Sequence, residues 1–311
     1  MYGAMADAVA SQITFRTWVQ MMRPGFLLIT AVACGLGTAT AHANGVVVQP
    51  ALAGGAAAVA LLMHALANVF NDYHDALNGA DEANTQGVFP FTGGSRLIQT
   101  GRVTLAHTRQ LAWVLLALCV SGALWLLWMV GPSLLGVGLV GLFFVWAYSA
   151  PPLALMCRGL GELTVGLSWG LMVLGADYVQ RGAVAPWTLS VALSYGLLIG
   201  NILLINGLPD AQADARVGKR TLAVRLGPGR VAAVYGVWAG VSMMVLGWGA
   251  AFGHLPAWCA WGVLPAPLSV WATWVVVQHA FHQVPLRSAL VATIVAAVLQ
   301  GLVLSWVALL V

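Results

Sequence analysis

Charged residues are scarce in this sequence. Only 7% of its 311 residues are charged, whereas 60% are hydrophobic, and the mean hydropathy is +0.89. Soluble globular domains carry about 25% charged residues, so this composition excludes a water-soluble globule. The chain is therefore expected to be a membrane protein with the lipid bilayer as its solvent.

Cysteine is scarce as well, and a cleavable signal pattern is missing. The four cysteines lack a paired spacing, so neither a disulfide framework nor a zinc site is predicted. No apolar run precedes a small-residue cleavage site near the first residue. We expect 1–22 to be a short cytoplasmic N-terminal segment, and 1–311 to form a single transmembrane domain.

Long apolar segments dominate the rest of the chain. A membrane-spanning helix needs about 20 mostly apolar residues. Nine such segments lie near 26–44, 51–71, 110–131, 133–149, 160–180, 187–207, 231–253, 257–278 and 288–311. The predicted fold is all-α and polytopic, with about nine transmembrane helices. Pro265 and Pro267 are expected to kink the eighth.

The basic residues fall on one side of this predicted topology. Twelve of the 13 lie at the N-terminus or in loops on the same face, and only Arg181 lies on the other. The positive-inside rule places the basic face in the cytoplasm of a bacterial inner membrane. The net charge of +4 is attributed to topology, and no nucleic-acid partner is expected. Arg23 is attributed to topology as well, with contact to an acceptor carboxylate as the alternative.

The acidic residues concentrate at two segment ends on that same face. The clusters read NVFNDYHDALNGADEAN, residues 68–84, and NGLPDAQADARVGKRTLAVRLG, residues 206–227. On a continuing helix, residues three or four apart share a face. The residues expected to share a face in this way are Asn68 with Asp72, Asn71 with Asp75, and Asn206 with Asp210 and Asp214.

Such clusters suit a hard cation. Mg²⁺ takes oxygen ligands and is usually bound through one or two carboxylates plus substrate phosphates. Two facing clusters would hold Mg²⁺ ions that bridge one diphosphate, with Lys219 and Arg220 contacting the same anion. A single Asp at a membrane interface would do no more than solvate a helix end. Two matched clusters favour the metal-diphosphate interpretation.

Three motifs together resemble the UbiA-type superfamily of intramembrane aromatic prenyltransferases, over roughly 23–290. They are NDYHDALNGAD (71–81), YSAPPLALMCRGLGEL (148–163) and DAQADARVGKRTLAVRLG (210–227). The resemblance implies nine helices around a central cavity. It also implies acidic motifs at the cytoplasmic end of this cavity and a lateral opening to lipid for the prenyl tail. In that family's reaction an electron-rich ring attacks the allylic carbon of a prenyl diphosphate.

The resemblance also implies roles for individual residues. Mg²⁺ would be held by Asp72, Asp75, Asp210 and Asp214, assisted by Asn68, Asn71 and Asn206. Lys219 and Arg220, with Arg158 or Arg96, would stabilise the departing pyrophosphate. Tyr148 would stabilise the allylic cation or touch the acceptor, although an interfacial aromatic anchor is a second interpretation of this residue.

The first motif departs from that of the hydroxybenzoate enzymes. Their further Asp, four residues after the second, is replaced here by Gly79, and Asp81 follows two residues later. This pattern is more similar to the 1,4-dihydroxy-2-naphthoate polyprenyltransferases of menaquinone synthesis, with Asp81 as a substrate-binding candidate. Transfer to 4-hydroxybenzoate or to another aromatic or tetrapyrrole acceptor remains the alternative. The Gly93–Arg96 segment resembles a short phosphate-binding loop.

Other functions fit less well. Phosphatidyltransferases also use clustered Asp residues, but their Asp-Gly and Ala-Arg spacing is absent from the sequence. Transporters place binding charges near the bilayer midplane, whereas these acids lie at one face. The seven histidines lack a metal-ligand spacing, and His74, the one inside a motif, is expected to pack or to form a hydrogen bond.

Overall fold

The computed structural model describes residues 13–85, 87–279 and 283–311, and this part of the chain is helical without β-strands. Its long helices are α1 (Pro24–Ala43), α2 (Pro50–Asn78), α3 (Leu105–Val130), α4 (Leu135–Ser149), α5 (Gly161–Arg181), α6 (Pro186–Arg216), α7 (Pro228–Ala251), α8 (Ala266–His279) and α9 (Gln283–Ala308). Short helices cover Phe15–Met21, Ala80–Ala83 and Leu222–Leu226, and 3₁₀ turns cover Pro132–Leu134, Leu155–Arg158 and Ala257–Val263. The predicted all-α class is confirmed, and each of the nine predicted segments contains one long helix. Residues 1–12 of the expected N-terminal segment lie outside the described residues.

Eight of the described helical segments are long and apolar enough to cross a membrane. The exception is α5, which is 21 residues long but carries Glu162, Asp177 and Arg181. Glu162 is 3% exposed and lines the cavity described below, and Asp177 is fully buried, so these carboxylates face the protein interior and not lipid. Ionisable groups within membrane helices are tolerated when they face the bundle interior in this way. The chain is a multi-pass membrane protein.

Two helices are longer than the hydropathy pattern predicts. The segments predicted at 51–71 and 187–207 continue as helix to Asn78 and Arg216. Hydropathy detects only the apolar part of a helix, whereas these polar turns stay helical because their side chains find partners inside the protein. Gly79, with φ +79°, ends α2 in the left-handed conformation that favours glycine. Both acidic motifs therefore lie largely on helices, as their spacing predicted.

The proline-containing eighth segment is interrupted. It consists of the 3₁₀ helix Ala257–Val263 and the α-helix α8, separated by a turn at Leu264 and Pro265. Proline has no N–H to donate within a helix, so a continuous helix through Pro265 would lose a hydrogen bond. Pro267 lies in the first turn of α8, where N–H groups have no helical partner anyway.

The centre of the fold is a close contact of α1, α5 and α6. A Cβ added at Gly196 of α6 would lie 2.4 Å from the carbonyl oxygen of Gly166 in α5. One added at Gly37 of α1 would lie 2.1 Å from the carbonyl oxygen of Val173. Small residues let membrane helices approach backbone to backbone. These three helices thus form a tightly packed unit beside which the cavity lies.

A cavity of about 460 Å³ is lined by α1 to α6 and their connections, all between Arg23 and Thr221. Helices α7 to α9 pack outside, against α6, α1 and one another. Helices α1 to α6 thus surround the cavity, and the other three long helices pack behind them. On α3 and α4, the cavity-lining Leu124 and Leu139 are 59% and 57% exposed.

Candidate active site

The two acidic motifs meet at one end of the cavity. Asp75 and Asp81 from the first motif and Asp210 and Asp214 from the second all line it. The same end is lined by four further residues predicted from the sequence: Asn68, Asn71, Asn206 and Lys219. Tyr148, at the end of α4, also lines the cavity. Helices far apart in sequence thus bring most of the predicted residues to one polar surface.

Lys219 links the motifs to each other. Its Nζ donates to both carboxylate oxygens of Asp75 at 2.9 Å and lies 3.6 Å from Oδ1 of Asp214. The Lys219 backbone N–H donates to the Asp214 carbonyl at 2.9 Å, which fixes the residue just beyond α6. Burial alone would lower the pKa of Lys219, but Asp75 and Asp214 outweigh it and raise this pKa. The ammonium group is therefore a permanent charge.

Arg23 provides a second, partly buried cation. It precedes α1 in the left-handed conformation, with φ +52°, and forms an ion pair with Asp72. Asp72 is 3% exposed and, unlike the other three predicted metal ligands, does not line the cavity. Burial would lower the pKa of Arg23, whereas the charges of Asp72 and Asp81 raise it. Its Nε atom is buried without a hydrogen-bond partner, although Arg23 lines the cavity.

Residues 87–101, here called the bridging loop, connect the two motifs by hydrogen bonds. The Gly93 N–H donates to Oδ2 of Asp210 at 3.1 Å, and the Ser95 N–H lies 3.3 Å from Oδ2 of Asp72. Asn84, just before the loop, donates to Oδ1 of Asp210 at 2.7 Å. In this structure the N–H groups of the predicted phosphate-type loop are directed at the carboxylates.

Asp81 lies beneath the bridging loop. It is 6% exposed, and a Cβ added at Gly94 would lie 2.7 Å from its Oδ2. Burial, together with the negative charges of Asp75 and Asp72, raises the pKa of Asp81 to about 8. Burial is the largest cause of this shift, and the neighbouring charges add to it. Five Asp carboxyl groups and Glu162, which also lines the cavity, share this end of the protein with Arg23 and Lys219.

Three other predicted cations lie elsewhere. Arg96 donates to the carbonyl oxygens of Asp81 and Asn84 and sits 5.3 Å from the centre of the Phe89 ring, so it holds the bridging loop. Arg158 is exposed and donates to the Pro152 carbonyl at 2.7 Å. Arg220 is exposed too, and only its backbone forms hydrogen bonds. None of the three lines the cavity.

Some cavity residues were not predicted from the sequence. Arg23 was attributed to topology, yet it directly precedes the proline that opens α1 and reaches the first motif. Asn84 falls inside the first acidic cluster, and its contact with Asp210 depends on how the chain folds back. His64 and Trp169 line the apolar part of the cavity and belong to no motif. For His64, the sequence contained one indication of a position on the cavity, since His64 precedes Asn68 and Asp72 in steps of four residues.

The donor atoms at this end fit a divalent cation that keeps water and substrate ligands. In the described ranges, no three His, Cys, Asp or Glu side chains are gathered closely enough to hold a metal by themselves. The available groups are carboxylates and two cavity-lining amide oxygens, Asn84 Oδ1 and Asn206 Oδ1, which are buried without partners. Oxygen ligands with few protein carboxylates per ion are characteristic of Mg²⁺.

Comparison with known proteins identifies the family. Residues 27–294 match the UbiA prenyltransferase family. The 1,4-dihydroxy-2-naphthoate octaprenyltransferase of Mycobacterium tuberculosis is 33% identical over 262 residues, which cover 82% of this chain and 84% of that protein. The enzyme of the same name from Escherichia coli is 33% identical over 68% of this chain and 69% of its own.

Solved structures agree at the level of the fold. A UbiA homolog from Archaeoglobus fulgidus, bound to GPP and Mg²⁺, superimposes with a TM-score of 0.62 at 14% identity, over 93% of this chain and 99% of that one. A digeranylgeranylglyceryl phosphate synthase structure gives the same TM-score at 12% identity, over 95% and 99%. With its acidic motifs gathered at one end of a membrane cavity, the chain belongs to the UbiA prenyltransferase family and is a prenyltransferase.

Proposed function

We propose that this enzyme transfers a polyprenyl chain from a prenyl diphosphate to 1,4-dihydroxy-2-naphthoate, with loss of the ring carboxylate to give demethylmenaquinone. The observation that carries the proposal is the junction of an Asn- and Asp-lined polar end with a long apolar cavity. The polar end suits a diphosphate, and the apolar part of the cavity suits a hydrocarbon tail. The naphthoate acceptor is supported by the names and the 33% identity of the bacterial relatives.

Divalent-metal dependence follows from the charge at the polar end. Asp75, Asp210 and Asp214 line the cavity, and Asp72 lies directly behind them beside Arg23. Without a cation, an incoming diphosphate would face a surplus of carboxylates. We propose that these four residues hold Mg²⁺ with help from Asn68, Asn71 and Asn206. When bound, Mg²⁺ supplies charge withdrawal from the leaving diphosphate.

The protein's own cations complete the diphosphate site. Lys219 lies on the cavity between Asp75 and Asp214, and its three donors can turn from a carboxylate to a phosphate oxygen. Arg23 has a buried and unpartnered Nε on the same side. We assign these two residues to binding the departing pyrophosphate. Arg220, Arg158 and Arg96 are assigned smaller effects, since they lie off the cavity.

The apolar part of the cavity suits the tail and the allylic carbon. The walls from α3 and α4 carry aliphatic side chains such as Leu124 and Leu139, which are more than half exposed. A polyprenyl chain longer than the cavity would leave between these helices into lipid. Tyr148 lines the junction of the polar and apolar parts, where its ring face would stabilise the allylic cation.

We also propose the membrane orientation that the basic residues indicate. The acidic motifs, the bridging loop and all basic residues except Arg181 would face the cytoplasm of a bacterial inner membrane. Both substrates would then approach the polar end from the cytoplasmic leaflet.

The decisive experiment is a transfer assay in membranes. A labelled prenyl diphosphate and Mg²⁺ are supplied with either dihydroxynaphthoate or 4-hydroxybenzoate, and lipid-soluble product is measured. We expect product from the naphthoate, lost with EDTA and in Asp72→Asn and Asp210→Asn. Glu82→Gln, which changes an exposed acid of the same motif, is the matched control and should retain activity. Product from 4-hydroxybenzoate alone would show that the acceptor is hydroxybenzoate and not dihydroxynaphthoate. Product formed without a divalent metal would contradict the proposed metal site.

A further inference from the structure

The cavity contains a polar pair deeper than the acidic motifs. His64 lies on α2 one turn, about 6 Å, before Asn68, on the side away from the carboxylates. Trp169 lies on α5, and its ring meets the His64 ring edge to face with centroids 4.8 Å apart. Both side chains line the cavity, although most of their neighbours there are aliphatic. An apolar channel for a hydrocarbon tail needs neither group.

The ring of His64 is held by one nitrogen, and the other nitrogen is free of a protein partner in the part of the chain that the structure describes. The residue is 6% exposed, and Nδ1 lies 2.8 Å from Oγ1 of the fully buried Thr30. Its other nitrogen, Nε2, has no hydrogen-bond partner among the described residues. Because the Thr30 hydroxyl can either donate or accept, Nε2 is available as an acceptor in one tautomer and as a donor in the other.

Trp169 supplies the second unused group. It is 8% exposed, and its indole Nε1–H is buried without a hydrogen-bond partner within the described ranges. The other nearby polar side chains on α5 have partners. The Thr164 hydroxyl donates to the Leu160 carbonyl at 2.8 Å, and the Ser168 hydroxyl donates to the Thr164 carbonyl at 2.7 Å. The indole N–H is therefore an exception among them, and buried donors without partners are costly.

Only one of the ligands required by the proposed function can satisfy these groups. The diphosphate is held at the polar end by Lys219, Arg23 and the metal-binding carboxylates. The prenyl tail contains no hydrogen-bonding atom. The aromatic acceptor carries hydroxyl and carboxylate oxygens on a flat ring, and that ring must lie next to the allylic carbon, just inside the diphosphate.

We propose that His64 and Trp169 form the acceptor subsite, in which a hydroxyl or carboxylate oxygen of the aromatic acceptor bonds to the indole N–H and to Nε2. This inference rests on the proposed function and specifies where its second substrate binds. The edge-to-face pair also gives the acceptor ring an aromatic surface to pack against. Thr30 acts as a positioning residue that fixes the imidazole.

The test separates the two substrates. Trp169→Phe removes the indole N–H but keeps an aromatic ring, and His64→Phe removes both nitrogens. The matched control is Trp258→Phe, because Trp258 is also 8% exposed and edge to face with an aromatic ring, but lies off the cavity. KM is measured for the acceptor and for the prenyl diphosphate separately. Acceptor binding is measured by calorimetry with dihydroxynaphthoate and with 4-hydroxybenzoate, without prenyl diphosphate.

We expect the acceptor KM and Kd to rise about tenfold in Trp169→Phe, with the KM for prenyl diphosphate unchanged, as for the loss of one buried hydrogen bond. His64→Phe should change in the same direction, and Trp258→Phe should match the wild type. An unchanged acceptor KM and Kd, or a rise confined to the prenyl diphosphate, would overturn the subsite while leaving the transferase proposal intact.

The calorimetric measurement distinguishes the two proposals if no turnover is seen. Binding of either aromatic acid to the wild type, weakened in Trp169→Phe, would support the subsite even if the proposed reaction fails. Absence of binding of both acids to the wild type would overturn the subsite. Thermal unfolding of each variant in detergent identifies a loss of fold, and Trp169→Phe remains decisive if His64→Phe does not fold.

Discussion

Lys219 is the cation that links the two acidic motifs. It lies between Asp75 and Asp214, and so it neutralises one carboxylate from each motif. Removing one partner of a buried charge cluster leaves the others uncompensated, which costs more than the pair itself contributes. The same side chain is assigned to the diphosphate.

Lys219→Met is therefore expected to lower kcat/KM by at least about a hundredfold, since both the charge balance and an anion contact are lost. The measurement is the transfer assay over a range of Mg²⁺ concentrations. Arg216→Met, which removes an exposed cation at the end of α6, is the control and should stay within about twofold of the wild type. Equal effects of the two variants would argue against a specific role for Lys219.

The raised pKa of Asp81 is expected to make the stability of the metal-free protein depend on pH. Its pKa in the folded state is about 8, because of burial and the charges of Asp75 and Asp72, against about 3.9 for an unfolded chain. Between these values the folded state binds the proton more tightly, so this contribution is present at low pH and is lost as the pH rises toward 8.

We expect the Tm in EDTA to fall from pH 5 to pH 8, and to fall less in Asp81→Asn, which cannot ionise. Thermal unfolding in detergent across this range is the measurement. Glu82→Gln should follow the wild-type curve, because Glu82 is exposed. Parallel curves for the wild type and Asp81→Asn would show that Asp81 is not the group responsible.

At the level of elements, the bridging loop connects two helices that do not follow each other in sequence. Its N–H groups donate to Asp72 at the end of α2 and to Asp210 near the end of α6. Gly93 and Gly94 have φ values of +78° and +73°, which side chains rarely adopt, and Gly94 lies against Asp81. The shape of the loop depends on these glycines.

Gly94→Ala is expected to abolish most activity, because the added Cβ would lie 2.7 Å from the Asp81 carboxylate and displace the loop. Gly101→Ala is a close control. Gly101 also has a positive φ, +68°, but nothing lies within 4 Å of an added Cβ, so this variant carries the backbone strain without the collision. Activity and Tm are compared for both, and similar losses would attribute the effect to strain alone.

Much of the site follows from helical spacing, and the remainder does not. The four-residue steps through Asn68, Asp72 and Asn206 predicted shared helix faces, because that geometry is local. The contacts of the bridging loop join residues far apart in sequence, so local spacing does not predict them. From the sequence, Gly93–Arg96 resembles a phosphate-binding loop, whereas in the structure its N–H groups are directed at carboxylates. Trp169 belongs to no motif. That its N–H has no partner among the described residues depends on the packing around it, which the sequence does not show.

From the sequence it was harder to predict which basic residues reach the site than which acidic residues do. Lys219 and Arg220 are adjacent in sequence and have equal charge, yet Lys219 lies between two carboxylates and Arg220 is exposed. Which of two neighbouring side chains turns inward depends on the chain path after α6. Arg23 was attributed to topology because a lone Arg before a span usually serves that purpose, whereas folding brings it to Asp72.

For the whole molecule, the proposed orientation can be tested by accessibility. Val47 lies in the α1–α2 connection, at the end opposite the acidic motifs, and Arg102 follows the bridging loop; both are exposed. In a Cys157→Ser background, we expect a membrane-impermeant maleimide to label Val47→Cys from the periplasmic side. Arg102→Cys should be labelled only in inverted vesicles. The reverse pattern would place the acidic motifs outside the cytoplasm.

The buried polar groups of α5 have a consequence for biosynthesis. Asp177 accepts a hydrogen bond from the Thr40 hydroxyl of α1 at 3.2 Å and lies 3.6 Å from Nε of Arg181, one turn later in α5. Helix α5 packs most closely on α1 and α6. A carboxylate at the centre of a nascent helix costs about 3 kcal/mol on translocon insertion scales, and less near the end of a helix, where Asp177 lies. With Glu162, Asp177 and Arg181 among its 21 residues, α5 is a weaker stop for the translocon than the other long helices until α1 and α6 pack against it. Its integration is expected to be delayed until the α5–α6 hairpin has emerged from the ribosome, and the protein would assemble by pairs at this point and not helix by helix.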